Sequence, residues 1–181
     1  LASGTVYADY LSGTGSSALV FIYTVGSSDL DTDGIVLTSP VDLNSGSMVD
    51  ASGNDVALTY TLPNTSLINI DGVTADISSI TAPSDDTYIL GENLDFTVNY
   101  DDNVDVSGTP RIVITLASGT VYADYLSGTG TSTLTFRYTV ASSDLDSDGI
   151  VSVSPIDLNS GTLQDSNGND VEITFSGDYA L

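Results

Sequence analysis

The segment Asn93-Leu-Asp-Phe-Thr-Val-Asn-Tyr100 alternates apolar and polar side chains along its whole length. A period of two is typical of a β-strand that has one face on a core and the other in water. Runs of Gly, Ser, Asn and Asp, which favour turns, separate such segments. The sequence therefore predicts an all-β protein, because the same alternation recurs at Arg111–Leu116, Thr120–Leu126, Thr133–Val140 and Asp170–Phe175.

A long internal repeat sets the organisation of the chain. Residues 1–15 recur unchanged as residues 116–130, and at this offset of 115 the residues 1–60 align without a gap with 116–175. Of those 60 aligned positions, 43 are identical. A period of this length is that of a domain and not of a solenoid repeat, so we predict tandem modules: a partial one at 1–73 and a complete one at 74–181.

The first module is expected to lack its N-terminal strands, because residues 81–115 have no counterpart before Leu1. Upstream sequence or a neighbouring chain would have to supply them. About seven short strands in roughly 100 residues, with turn signals every 8–12 residues, favour an immunoglobulin-like β-sandwich. An all-β barrel is the alternative.

Composition excludes several classes of function. The chain has 2 Lys+Arg against 25 Asp+Glu, a formal net charge of −23, and neither His nor Cys. Both cations are arginines, so Lys-based chemistry is excluded together with His- or Cys-based nucleophiles, ordinary zinc sites, haem and iron–sulfur clusters. No nucleic acid and no anionic membrane surface is expected as a partner. No apolar run reaches the roughly 18 residues of a membrane span, so no membrane insertion is expected.

A series of motifs follows one order along the chain, at residues 90–100, 106–111, 122–130, 134–140, 146–150, 157–161 and 165–170. The series resembles the bacterial Ig-like repeats that occur in tandem in giant secreted surface proteins of the calcium-dependent adhesin type, over residues 80–175 and in the truncated copy 1–73. The resemblance implies an extracellular, cell-surface stalk or filament for cell adhesion, with Ca²⁺ stiffening the array and further copies of the repeat as partners.

Two acidic loops carry the clearest local motif. Asp29-Leu-Asp-Thr-Asp-Gly34 is repeated as Asp144-Leu-Asp-Ser-Asp-Gly149, with carboxylates at every second position and a glycine next. This spacing matches the first half of a calcium loop, but proline occupies the position of the final EF-hand glutamate. Carbonyls such as those of Ile35 and Ile150, water or another loop would have to complete the site. An acidic, solvated turn is the alternative. The candidate ligands are Asp29, Asp31, Asp33, Asp144, Asp146 and Asp148.

A second candidate calcium site is the junction between the modules. The segment Asp71–Asp76 is expected to be a linker, and Tyr100–Asp105 is expected to be an inter-strand loop at one pole of the second module. Their carboxylates offer hard oxygen ligands for Ca²⁺. A polar linker beside an acidic loop is the alternative, and Asp50–Asp55 and Asp165–Asp170 are interpreted as turns. The candidate junction ligands are Asp71, Asp76, Asp101 and Asp102.

The same carboxylates, together with several tyrosines, leave other functions open. Paired carboxylates serve glycosidases, but aspartate is so abundant here that close pairs arise by chance, and no enzyme activity is expected. Tyr7, Tyr10, Tyr122 and Tyr125 offer rings that stack on sugars, so a calcium-dependent carbohydrate-binding module is an alternative. A filament subunit that polymerises by strand complementation is another. Halophilic adaptation is an alternative account of the charge.

Overall fold

The computed structural model describes residues 1–175 and the backbone of residues 179–180. Residues 176–178 and 181, which belong to the predicted second module, lie outside the described residues. The chain divides into unit 1, Leu1–Val73, and unit 2, Thr74–Leu181. The described residues contain strands and turns but no helix, so the predicted all-β class is confirmed. Consequently, this part of the chain has no helix able to span a membrane.

Unit 1 contains four short strands in two small sheets. A hairpin pairs β1 (Asp9–Ser12) with β2 (Val20–Ile22), and a second antiparallel pair joins β3 (Leu30–Asp31) to β4 (Ile70–Asp71). Gly34 lies against the backbone of Ser66, where an added Cβ would come within 2.5 Å of the Ser66 Cα. Residues 64–72 therefore lie directly against the acidic loop of this unit.

Unit 2 is one curled antiparallel sheet. Its strands are β5 (Ile77–Thr81), β6 (Asn93–Ser107), β7 (Arg111–Leu116), β8 (Gly119–Ser127), β9 (Thr131–Thr139), β10 (Val151–Asp157), β11 (Thr162–Asp165) and β12 (Tyr179–Ala180). They are ordered β11-β6-β9-β8-β7-β10-β12, and β5 also pairs with β6. The long β6 pairs with β9 along its first half and with β11 at its end, so one strand contributes to two parts of the sheet.

The core of unit 2 follows from the alternation read in the sequence. Along β6, Leu94, Phe96, Val98 and Tyr100 are buried, and the residues between them are half-buried. Full burial of one such apolar side chain contributes about 1.5–3 kcal/mol. The core closes over Phe96 and Val98 with side chains from the other strands and the segments between them, among them Ile112, Ile114, Leu134, Phe136, Ile156, Leu163 and Val171.

Two expectations about unit 2 are wrong. The predicted loop Tyr100–Asp105 is part of β6, where Val104 is fully buried and the register with β9 shifts between Asn99 and Val104. This register shift is a β-bulge, which accommodates the acidic residues, and the strand continues beyond it. The predicted strand Asp170–Phe175 is not regular: it makes one isolated bridge from Asp170 to Gln164 and single hydrogen bonds such as Ile156 N to Ile173 O, 2.9 Å.

Equivalent residues of the two units differ strongly in exposure. Leu134 and Phe136 of β9 are fully buried, whereas their repeat equivalents Leu19 and Phe21 are 37% and 40% exposed. The ring contact survives in both copies: Tyr10 meets Phe21 edge-on, and Tyr125 meets Phe136 in the same way, each with centroids 6.0 Å apart. Unit 1 therefore keeps the local structure of the repeat without the strands that cover it in unit 2.

Candidate functional site

The first acidic loop begins with an anchored carboxylate. Asp29 is only 8% exposed, and its Oδ2 accepts hydrogen bonds from the Tyr23 hydroxyl and from the Gly26 N–H, the latter at 2.6 Å. The tyrosine bond, followed by the Gly26 bond, lowers the pKa of Asp29 below its ordinary value. Asp29 thus holds the loop to the strand that precedes it.

Asp31 is the most buried carboxylate of this loop. It is 4% exposed, pairs with Ile70 of β4, and accepts the Ala2 N–H at Oδ2 over 2.9 Å. Its other oxygen, Oδ1, is buried and has no hydrogen-bond partner within residues 1–175. An unpaired buried carboxylate oxygen is costly, so this atom is where a cation would be most stabilising.

The second loop repeats this anchoring. The Tyr138 hydroxyl and the Ala141 N–H both donate to Oδ2 of Asp144, and the Ala117 N–H donates to Oδ2 of Asp146 at 2.7 Å. Asp146 differs from Asp31 because its Oδ1 accepts the Asp148 N–H at 3.3 Å and because it is only half-buried. In each loop the first two aspartates therefore tie the loop to earlier parts of the chain.

In both loops the leucine after the first aspartate also exchanges two hydrogen bonds with a serine earlier in the chain. Ser3 N–H donates to Leu30 O at 3.0 Å and Leu30 N–H donates to Ser3 Oγ at 3.1 Å, while Ser118 and Leu145 exchange the same two bonds at 3.0 Å each. The acidic motif by itself did not predict these anchoring roles. The signal that reveals them is the tyrosine six residues before the first aspartate of each loop, Tyr23 and Tyr138.

The three aspartates of each loop do not form one ligand group. Across residues 1–175, no group of three or more His, Cys, Asp or Glu side chains lies close enough together to hold a metal ion. The Ile35 carbonyl, a candidate ligand, accepts the Thr65 hydroxyl. Asp31 and the exposed Asp33 line a shallow hollow together with residues 62–66.

The four predicted junction ligands fall in different units. Asp71 lies in β4 of unit 1, where its Oδ1 accepts the Val73 N–H at 3.2 Å. The other three belong to unit 2: Asp101 Oδ1 accepts the Asp76 N–H at 2.8 Å, and Asp102 Oδ1 accepts the Asn103 N–H at 2.6 Å. Within unit 2, Asp76 and Asp101 thus clamp the end of the β5–β6 pair.

The two Gly-Asn turns are organised by buried or capping aspartates. Asp165 is 5% exposed, and its Oδ1 accepts the N–H groups of Asn167 and Asn169 at 2.8 and 2.9 Å. Burial alone would raise the pKa of Asp165, but the hydrogen bonds from Asn169 and its neighbours outweigh it and lower the pKa. Asp50 makes the equivalent bonds to Ser52 and Asn54. Both aspartates stabilise turn geometry.

Tyr122 and Tyr125 of unit 2 make contacts within the protein. The Arg111 guanidinium lies 3.8 Å from the centroid of the Tyr122 ring, and its Nε donates to Asp157 Oδ2 at 2.8 Å. Tyr125 packs on Phe136, and its hydroxyl accepts the Thr129 N–H at 2.8 Å. A sugar would therefore have to displace Arg111 to stack on that face of Tyr122, which disfavours the glycan-binding alternative in unit 2.

Comparisons with protein-family models, with curated proteins and with solved structures find no match for this chain.

Proposed function

We propose that the chain is a structural segment of an extracellular bacterial adhesin or surface filament, in which immunoglobulin-like β-sandwich modules follow one another as a calcium-stiffened spacer for cell adhesion. According to this proposal, unit 2 is a complete module and unit 1 is a partial one. The role of the protein is then to set a distance, without catalysis.

The observation that carries the proposal is the repetition of one set of anchors. Tyr23–Asp29 and Tyr138–Asp144 make the same hydrogen bond 115 residues apart, in copies that share 43 of 60 aligned residues. A spacer requires the same stable module many times.

The calcium part of the proposal is supported by Asp31. Its Oδ1 is buried without a hydrogen-bond partner among the described residues, and Asp33 lies two residues further along the same loop. Carboxylate oxygens are the ligands that Ca²⁺ prefers. These two aspartates would hold the ion, and its charge would offset part of the repulsion within a chain of net charge −23.

Calorimetric titration tests the calcium site. The chain should bind Ca²⁺, and Asp31→Asn should remove at least one site because it removes the charge of the carboxylate whose Oδ1 has no hydrogen-bond partner. Asp55→Asn, an exposed change of the same charge in the same unit, is the matched control and should keep the full stoichiometry. Equal stoichiometry in both variants would refute the Asp31 site.

Scattering from chains with two, four and six repeats tests the spacer role. The maximum dimension should grow in proportion to the number of repeats, by about 35–45 Å each if strands of seven to nine residues run along the axis. In EDTA the distribution of dimensions should broaden. A dimension that grows only as the cube root of chain length indicates a compact assembly and contradicts the spacer.

A further inference from the structure

The first and last strands of unit 2 run in the same direction. β6 and β10 are connected by four successive antiparallel pairings, through β9, β8 and β7, so they are parallel to each other. β5 is antiparallel to β6, and β12 is antiparallel to β10. Since β5 begins opposite Tyr100, far along β6, and β12 ends opposite Val151, the first residue of β10, the two strands begin and finish at opposite ends of the sheet.

A small group of contacts joins these two parts of the chain at the end of the sheet where β5 begins. The Glu172 N–H donates to the Ala75 carbonyl at 3.0 Å. Tyr100 pairs with Ile77 of β5 through its backbone, and its hydroxyl donates to the Glu172 carbonyl at 3.1 Å. We call Ala75, Tyr100 and Glu172 the terminal clamp. It connects β5 to the segment that leads into β12.

The terminal clamp is shielded from water. Ala75 is 2% exposed and Tyr100 is 4% exposed. Burial, followed by the negative charge of Glu172, raises the pKa of Tyr100 well above its ordinary value, so the hydroxyl keeps the proton that it donates. A hydrogen bond in such a low-dielectric environment is electrostatically stronger than one in water. The clamp therefore connects the two strands through bonds for which solvent does not compete.

The segment that follows Glu172 is bound to β10. The Ile156 N–H donates to the Ile173 carbonyl at 2.9 Å, and β12 pairs with the beginning of β10. The Phe175 N–H donates to Ser154 Oγ at 3.0 Å. A force that pulls the start of β5 and the end of β12 apart acts along both strands. It therefore loads the bonds of each strand together, whereas a force across the strands would break them one after another.

We propose that unit 2 is a load-bearing module, in which the terminal clamp holds the first and last strands together when the chain is pulled from both ends of the sheet. The inference rests on the proposed spacer role, because a spacer for cell adhesion transmits the pull between the cell and the point of attachment. It adds resistance to force to the setting of a distance. Tyr100 is the central residue, since it alone in the clamp contacts both β5 and the segment before β12.

Single-molecule stretching of the full chain at constant force tests the clamp. The chain has no cysteine, so pairs of engineered cysteines define the points of attachment. Thr74→Cys with Ala180→Cys pulls along the two strands. Thr74→Cys with Ser166→Cys, which lies in an exposed turn, pulls the beginnings of the two segments apart. Tyr100→Phe removes the hydroxyl of the clamp. Tyr125→Phe removes a hydrogen bond within the β8–β9 turn instead and is the matched control.

At equal force, unfolding should be at least about tenfold slower for the attachment at Thr74 and Ala180 than for the one at Thr74 and Ser166, because forced unfolding follows the unfolding rate. In the first geometry, Tyr100→Phe should raise that rate about fivefold, as loss of one hydrogen bond predicts, and Tyr125→Phe should leave it unchanged. Equal rates in the two geometries, or equal effects of the two variants, overturn the proposal. Scattering from chains of different repeat number tests the spacer role separately, so failure of the clamp and failure of the spacer are distinguishable.

Discussion

The Tyr138 hydroxyl donates its hydrogen bond to the same oxygen of Asp144 that accepts the Ala141 N–H. The carboxylate thus fixes the three residues that precede it and the end of β9 at once. Burial first, and then the Asp144 bond, raise the pKa of Tyr138 to about 12. The neutral phenol is therefore favoured in the folded state.

Tyr138→Phe should change the alkaline stability of unit 2. Since the folded pKa lies above the ordinary tyrosine value of 10.0, the contribution of Tyr138 is fully present below pH 10 and is lost as the pH rises towards 12. The phenylalanine variant should be about 1 kcal/mol less stable at pH 7, with a shallower loss between pH 10 and 12. Urea unfolding across this range measures both. Tyr23→Phe in unit 1 is the control, and an equal effect on the unit 2 transition would contradict the assignment.

Gly128→Ala should destabilise the β8–β9 hairpin severely. Gly128 has φ of 116°, and a Cβ there would lie 2.1 Å from the Thr133 carbonyl oxygen. Gly119, with φ of 136° and open space around an added Cβ, supplies the matched control. Gly128→Ala should cost at least about 2 kcal/mol more than Gly119→Ala, since only the former adds a clash to the backbone strain. Denaturant unfolding followed by circular dichroism compares them; equal losses would contradict the close approach.

Arg111→Ala should lower the free energy of unfolding of unit 2, because it removes a cation–π contact and a partly exposed ion pair. Arg111→Lys should recover less than half of this loss, since an ammonium does not stack as a planar guanidinium does. A double-mutant cycle with Tyr122→Leu isolates the ring contact and should give a favourable coupling free energy. Strict additivity would show that the stacking contributes nothing.

Asp165→Asn should reduce the acid sensitivity of unit 2. The pKa of Asp165 is lowered in the folded protein, so its contribution is present above the ordinary aspartate value of 3.8 and is lost as the pH falls through the lower folded value. The asparagine variant should be less stable at pH 7 and should approach the original chain below pH 3. The difference between the two chains cancels the general effect of protonating an acidic protein. A constant difference from pH 7 to pH 2 would contradict the prediction.

Calcium should raise the melting temperature by several degrees over EDTA at fixed ionic strength, because a ligand that binds only the folded state adds about 2.7 kcal/mol at 100 times its Kd. Sodium chloride at 1 M in EDTA is the control for screening. If the salt alone restores the full melting temperature, charge screening and not a specific ion accounts for the effect.

Local alternation predicted the first half of β6 and strands β7, β8 and β9, but it did not predict β5, β10 or β11. Arg111–Leu116 has the bounds of β7 because six alternating residues lie between two glycine-containing turns. The continuation of β6 was missed because its aspartates at 101, 102 and 105 are typical of a loop. Val104 and Val106 preserve the strand pattern on the far side of the bulge, which periodicity alone does not reveal.

The acidic loops show a second reason why the sequence alone did not predict the site. An aspartate that accepts hydrogen bonds and one that binds Ca²⁺ have the same sequence signature, and only the partners distinguish them. The partners of Asp29 and Asp31 are Tyr23 and Ala2, the latter 29 residues away. Such long-range contacts depend on how the chain folds back. The contact with a tyrosine six residues earlier is short-range, and it could have been predicted because this tyrosine recurs in both copies of the repeat.

The engagement of Arg111 and Arg137 has a consequence for digestion by trypsin, which cuts after Arg or Lys. These two residues are the only cations in the chain; both lie inside strands, and each pairs with an aspartate. Cleavage at either site requires unit 2 to open, so the cutting rate at high enzyme concentration measures its unfolding rate. Unit 1 has no target residue at all. The rate of cleavage by trypsin therefore reports the opening of unit 2 alone, because unit 1 is not cut.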